Sequence, residues 1–334
     1  MNTLKFIKTH ALLVFAMFMF CLSACKSKKP IVHEEGPSNG LTVNVKTAGA
    51  VGNGTTDDTW AFNAAIDQVA EAGGGTVSVP VGTYLIDADV SIKLKSNVSL
   101  DMVDSTRILK VKPTASNRYN VIRMINISNS RVIGGKIKGD REEHLATTGE
   151  HGMGICLYQA TNCQVINTVI ADCWGDGITV GSQSLYSAPG QSINCVITGV
   201  KSRNNRRQGL TIGGVDSLIV TNSSFTHTNG TLPMAGIDIE PDSQTAERVY
   251  IKNCEIAYNE KVGIEMNAKT SGTAKIRHIT VQDNYIHHNS YSGYIQHVSY
   301  VNFTNNRLAN NTYQGNNPRV NDATNSVFSP NTYQ

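Results

Sequence analysis

Carboxylates cluster late in this chain. Gly236-Ile237-Asp238-Ile239-Glu240 and Gly263-Ile264-Glu265-Met266-Asn267 carry polar groups at alternating positions. If the two segments are neighbouring strands, Asp238 and Glu265 stand about 5 Å apart on one face. Glu240 and Asn267 then lie beside them. Three carboxylates and an amide this close repel unless something compensates. A hard cation such as Ca²⁺, held by several oxygens, is one solution. A shared proton with a raised pKa is another. An arginine clamp is a third, and Arg206-Arg207 leads into the preceding repeat. A solvated polar face with structural ion pairs is the non-catalytic alternative.

A second group gathers in the segments that lead into the same repeats. Gly139-Asp140-Arg141-Glu142-Glu143-His144 and Glu150-His151-Gly152 form a long insertion, followed by Trp174, Asp176 and Arg206-Arg207. Loops on a rigid scaffold are where binding groups collect. The faces of Trp174 and Tyr158 suit sugar rings. Taken singly, His151 reads as a loop histidine. Its weight comes from sharing an edge with Asp176, Arg207 and Asp238. Lys136 and Lys138 flank Ile137 and point outward from another face, as surface lysines do.

The elements that position these groups are repeats. Gly134, Asn167, Asn194, Asn222, Asn253, Asp283 and Asn305 follow one another at gaps of 33, 27, 28, 31, 30 and 22 residues. Three residues after each comes an apolar side chain, from Ile137 and Ile170 to Phe225, Ile256, Ile286 and Leu308. Two residues before, most are again apolar, with Ser192 the exception. Asparagine suits such corners, because its amide bonds nearby backbone and tolerates unusual φ/ψ. A second column, Gly154, Gly177, Gly209, Gly236, Gly263 and Gly293, precedes short strand-like stretches. Their period of two predicts outward side chains. One outward row is Cys156, Thr179, Thr211, Asp238, Glu265 and Ile295, and the next is Tyr158, Gly181, Gly213, Glu240, Asn267 and His297. Short β-rich repeats without helical periodicity between them predict a stacked β-solenoid. Thr55-Thr56-Asp57-Asp58, an amphipathic run through Trp60, Phe62, Ile66 and Val69, and Gly73-Gly74-Gly75 predict a capped helix that covers the solenoid's open end.

Gly49-Ala50-Val51-Gly52-Asn53-Gly54-Thr55-Thr56-Asp57-Asp58-Thr59, the helix, and Val79-Pro80-Val81-Gly82-Thr83-Tyr84 resemble the opening of the pectate-lyase-like β-helix superfamily. The Gly-Ile-x-Ile and Asn-Cys-x-Ile coils are similar to it too. The resemblance covers roughly residues 42–310. It implies an all-β, single-stranded right-handed parallel β-helix with an N-terminal capping α-helix. It also implies action on polysaccharide, because the superfamily holds hydrolases, lyases, epimerases and phage tailspikes. One fold hosts several chemistries.

Among these, a lyase acting on a uronic-acid polymer is the leading expectation. β-Elimination needs the C5 proton removed and the adjacent carboxylate neutralised. The resemblance implies Ca²⁺ as neutraliser, held by Asp238, Glu240 and Glu265, and Arg207 as base. His151 or Arg206 assists, and Asp176 completes the catalytic set. Arg141, Tyr158, Trp174 and Asn267 are expected to bind substrate. An inverting hydrolase of the polygalacturonase type needs two carboxylates about 6.5–9.5 Å apart. Asp176 and Asp238 could qualify, but that family's Asn-Thr-Asp, Asp-Asp, Gly-His-Gly and Arg-Ile-Lys set is not intact. The epimerases' Tyr-Gly-Phe-Asp-Pro-His-Glu signature is missing. A non-catalytic glycan-binding protein is the remaining alternative.

The N-terminus bounds the setting. Lys5 and Lys8, an apolar run from Ala11 to Leu22 and Leu22-Ser23-Ala24-Cys25 make an export signal. The box resembles that of bacterial lipoproteins, which implies cleavage before Cys25, acylation of its thiol and an outer-membrane anchor. Residues 25–40 read as a tether, 41–314 as the β-helix and 315–334 as a tail or end cap. Loss of residues 1–24 removes two lysines and takes the formal charge from +3 to +1. That leaves no broad basic face for nucleic acid. The expected partners are an acidic polysaccharide and, through the lipid alone, a membrane; the domain is expected to be a monomer. Cys156, Cys163, Cys173, Cys195 and Cys254 read as small packing groups. Cys195 and Cys254 fall in one column with Ser223 between them, near ~10 Å and too far apart for a disulfide.

Overall fold

The computed structural model describes residues 40–242, 244–268 and 275–334. The signal, Cys25 and nearly all of the tether therefore lie outside the described residues.

Alternation builds the coils. Ile155, Leu157, Ile178, Val180, Leu210, Ile212, Ile237, Ile239, Ile264 and Met266 are fully buried. They stack in register, Ile155 on Ile178, Ile178 on Leu210, Leu210 on Ile237 and Ile237 on Ile264, all in parallel. Each coil's inner side chains thus lie on those of the next, and the result is a parallel β-solenoid of about nine turns. Among the described residues the main strands form an 18-stranded and an 11-stranded sheet. The larger one makes two faces, joined where Tyr291–Thr304 runs from one into the next. The face that matters here carries Arg118–Ile125, His151–Tyr158, Ile178–Gly181, Gln208–Ile212, Ala235–Ile239 and Val262–Asn267. Lys136 and Lys138 belong to the 11-stranded sheet. Arg319–Thr324 and Thr332–Tyr333 pair as further parallel strands.

Inner side chains set the register, because a one-residue slip turns every side chain to the opposite face. Two columns read from sequence are corrected on this ground. Ile197 stacks on Val220 and Ile166 on Thr198, so Gly199, not Asn194, follows Asn167. Asn194 instead continues an earlier corner with Asn129 and Asn162, all at positive φ. Ser192 is therefore no exception, because it never belonged to the apolar column. Cys195 lies on the coil next to Cys163 and in the row of Leu218, apart from Cys254. All five described cysteines are free and buried. At the far end Gly293 pairs with Ile264, one place away from the expected Gly263. The outward rows therefore end on Tyr294 and Gln296, not on Ile295 and His297.

The expected corners are left-handed at Asn167, Asn222, Asn253, Asp283 and Asn305. Amide-to-amide bonds run one residue further on: Asn284 Nδ2 donates to Asn306 Oδ1 at 3.0 Å and Asn306 Nδ2 to Asn331 Oδ1 at 3.1 Å. The helix Thr59–Glu71 buries Phe62, Ala65, Ile66 and Val69 in the core. Its first turn is served by Asp57, whose Oδ1 accepts from Thr59 N at 3.1 Å. Asp58 turns instead to the backbone of Val51 and Gly52, at 2.7 and 3.1 Å.

Candidate active site

Arg207 precedes the strand Gln208–Ile212 and reaches along the outer face to two coils. Its Nη1 donates to Asp176 Oδ2 at 3.2 Å and Oδ1 at 3.3 Å, and its Nη2 donates to Glu240 Oε1 at 2.9 Å. The Asp176 side chain has no exposure, Glu240 16% and Arg207 12%. Thr211 Oγ1 adds a hydrogen bond to Asp176 Oδ2 at 2.7 Å. Burial alone would lower the Arg207 pKa, but Asp176 and Glu240 outweigh it and raise it above its ordinary value. A guanidinium held this firmly in its charged form cannot take a proton. The expected role of Arg207 as base is therefore replaced by that of a clamp.

Asp238 lies beneath this clamp. Its Oδ2 accepts from Gln208 Nε2, while its Oδ1 is buried without a partner. Burial raises its pKa well above the usual carboxylate range, Glu240 and Glu265 raise it further, and Arg207 only partly opposes them. Asp176 is also raised, by burial against the pull of Arg207 and Thr211. The Arg207 guanidinium and the raised pKa of Asp238 are two of the compensations that such a carboxylate cluster calls for. Among the described residues no three His, Cys, Asp or Glu side chains gather as a metal cluster. Asp238, Glu240 and Glu265 form no such cluster in this arrangement.

Beside the clamp lies a cavity of about 630 Å³, lined by Arg118, Gly149, Glu150, His151, Arg206 and Thr231 among others. His151 is partly exposed, with Nε2 3.6 Å from Glu150 Oε1. Burial lowers its pKa, Arg118 lowers it further, and Glu150 partly opposes them. Its imidazole is thus neutral at neutral pH, the form that accepts a proton. Arg206 bonds Gly149 O at 2.6 Å, and its guanidinium lies 3.9 Å from the Trp174 ring. His144 stacks at 4.0 Å on the same ring. Asp140 holds His144 by a 2.7 Å bond to Nδ1 and accepts from the Tyr119 hydroxyl.

The fold thus gathers His151, Asp176, Arg206, Arg207, Asp238 and Glu240 along one edge and face. Glu265 pairs in register with Asp238, and Asn267 is half-buried two residues further on. Two of the expected substrate contacts are corrected. Tyr158 is only 4% exposed, because the loop of residues 182–191 lies over it. Arg141 is tied at a corner to Asn204 O at 2.9 Å and to Asn229 Oδ1 at 2.5 Å, outside the residues that line the cavity. Trp174 is 7% exposed and acts as the bed of Arg206. The candidate set read from sequence lacks Arg118 and Gln208, and holds Thr211 only as an outward position. Gln208 follows Arg207 at the head of its strand, and that position was the available signal.

The model of the family described as rhamnogalacturonase A/epimerase, pectate lyase-like, matches residues 42–285. The chain belongs to this family. A Bacillus subtilis relative, YclG, is 31% identical over 220 residues, 59% of this chain and 38% of that protein. Mannuronan C5-epimerase AlgE6 of Azotobacter vinelandii is 29% identical over 195 residues, 57% of this chain and 20% of its own length. The chain therefore spans well under half of these relatives. Among solved structures, the A-module of the mannuronan C-5 epimerase AlgE4 from the same organism superposes with a TM-score of 0.62 at 18% identity, covering 83% of this chain and 80% of the module. That likeness shows the pectate-lyase-like solenoid fold in this family member.

Proposed function

We propose that this protein is a polysaccharide lyase that cuts a uronic-acid polymer by β-elimination. One observation carries the reading: a neutral imidazole, His151, lines the same cavity as two guanidiniums, Arg206 and Arg118. The chemistry needs both. The arginines bind the sugar carboxylate and draw negative charge from the developing enolate. His151 removes the C5 proton. The C5–H electrons form the C4=C5 double bond, the C4–O bond breaks, and the leaving oxygen takes a proton from water. Arg207, Asp176 and Glu240 hold the adjoining face rigid. Relatives named as epimerases and a family that includes rhamnogalacturonase A support action on polysaccharide.

In the same reading the activity belongs to a lipid-anchored protein outside the cytoplasm, which the export signal and Cys25 support. The helix Thr59–Glu71 then serves as the cover of the solenoid's first coils.

The test is absorbance near 232 nm, the absorbance of the unsaturated product, across a panel of uronic-acid polymers, with Ca²⁺ and with EDTA. One polymer should give a rise, and His151→Gln should lower its rate by about 10²-fold or more. The EDTA arm tests the calcium expectation separately. New reducing ends without absorbance would replace the lyase by a hydrolase. Deuterium uptake from D₂O into the polymer without absorbance would replace it by an epimerase, which shares the proton abstraction.

A further inference from the structure

We infer that the outer face of the 11-stranded sheet carries a second binding site, a cationic trough for a short segment of acidic polysaccharide, apart from the candidate active site.

The register of three coils builds it. Lys136 and Lys138 pair with Val169 and Ala171, and these pair with Lys201 and Arg203 on the next coil. The residues between them, Ile137, Ile170 and Ser202, are fully buried, so the six flanking side chains point outward. Two lysines form one bank, and a lysine and an arginine form the other, about 10 Å away across two coil spacings. Val169 keeps a partly exposed side chain on the floor, and Ala171 is covered at the end next to the corner. Both are short beside the long stems of the banks. Among the described residues none of the four cations makes an ion pair. The acids at the rim are engaged elsewhere: Glu143 pairs with Lys110 at 3.2 Å, and Asp172 accepts from Asn204 Nδ2 at 2.7 Å. The whole sequence has a formal charge of only +3, so four uncompensated cations on three coils are a local concentration.

A uronic-acid polymer complements this surface. It repeats a carboxylate on every acidic sugar, and an extended segment in the trough meets a cation on either bank. Lysines answer as point charges and Arg203 with a planar fork. The C–H face of a sugar ring lies on Val169. Each contact is weak at an exposed site, and several on one chain add. Residues 204–207 join the strand Lys201–Arg203 to the strand Gln208–Ile212 of the catalytic face. Polymer held in the trough is therefore concentrated beside the groups that would cut it.

Affinity electrophoresis of the whole protein at low salt reads binding without needing cleavage. The gels hold alginate, polygalacturonate or their carboxyl-reduced forms. At least one carboxylated polymer should retard the wild type, and its reduced form should not. Lys136→Gln, Lys138→Gln, Lys201→Gln and Arg203→Gln together should weaken binding about tenfold, as the loss of four exposed ion pairs does. The effect should persist in an Arg206→Gln background, and arginine in place of the three lysines should preserve binding. Equal retardation of the wild type and the fourfold glutamine variant would overturn the inference, as would equal retardation by carboxylated and reduced polymer. Trough-dependent binding to phosphatidylglycerol vesicles, with no polymer bound, would overturn it in favour of a membrane contact. Trough-dependent retardation by polymers that are never cut would support the inference and overturn the lyase reading alone.

Discussion

Replacing Arg207 by methionine isolates the clamp. The substitution keeps most of the stem and removes the guanidinium that Asp176 and Glu240 share at 3.2 and 2.9 Å. Both acids then stay buried without their counter-charge. Deleting one partner of such a pair costs about 3–5 kcal/mol. At about 2 °C per kcal/mol for a large domain, melting should fall by about 6–10 °C. The deficit must depend on pH in a definite sense. Stranded carboxylates bind protons more tightly in the folded chain than in the unfolded one, so the variant regains stability as pH falls. Its deficit should be largest near about pH 7.5 and clearly smaller near about pH 5. Adding Asp176→Asn to Arg207→Met should restore more than half of the loss, because the amide needs no counter-charge. Urea or thermal unfolding followed by circular dichroism reads all three quantities. A loss below about 1 kcal/mol, independent of pH, would refute the clamp, since that is what an exposed ion pair contributes.

Two further outcomes follow from the same edge. Asp238 has its folded pKa raised above the unfolded value, so the stability it permits below the unfolded pKa is lost as pH rises toward the folded pKa. Asp238→Asn should therefore gain melting temperature over the wild type progressively above about pH 4, and parallel curves across pH would contradict the neutral form. Trp174→Leu removes the ring 3.9 Å from the Arg206 guanidinium. At about 0.5–2 kcal/mol for a cation–π contact, kcat/KM should fall about 2- to 30-fold. The effect should vanish in an Arg206→Ala background, and an additive double variant would show that Trp174 does not act through Arg206.

The inner architecture was legible because it rests on local alternation. Ile155, Ile178, Leu210, Ile237 and Ile264 are inward wherever the period of two is kept, and their stacking follows from the repeat length. The misreadings came where a repeat changes length. Asn194 matched the spacing of its neighbours, but residues 182–191 lengthen the coil before it, so the residue that follows Asn167 in space is Gly199. Side-chain identity suggested one register, and the inner apolar column enforced another.

The site was legible as a set of positions and not as a set of states. The sequence places Asp176 and Arg207 on one edge and Glu240 in an outward row of the adjoining face. Their mutual bonds join residues 31 and 33 apart, and whether such a group is a base or a clamp depends on how completely its neighbours exclude water. Asp176 and Glu240 make Arg207 a fixed charge, and the same exclusion of water raises the pKa of Asp238. Tyr158 makes the converse point. Its outward position was read correctly, yet Ser182-Gln183-Ser184-Leu185-Tyr186 has no periodicity to announce that it folds back over that position. An outward side chain on a solenoid is available to substrate only where no loop has claimed it. Substrate geometry in such a fold is therefore decided as much by the aperiodic insertions as by the coils that carry the chemistry.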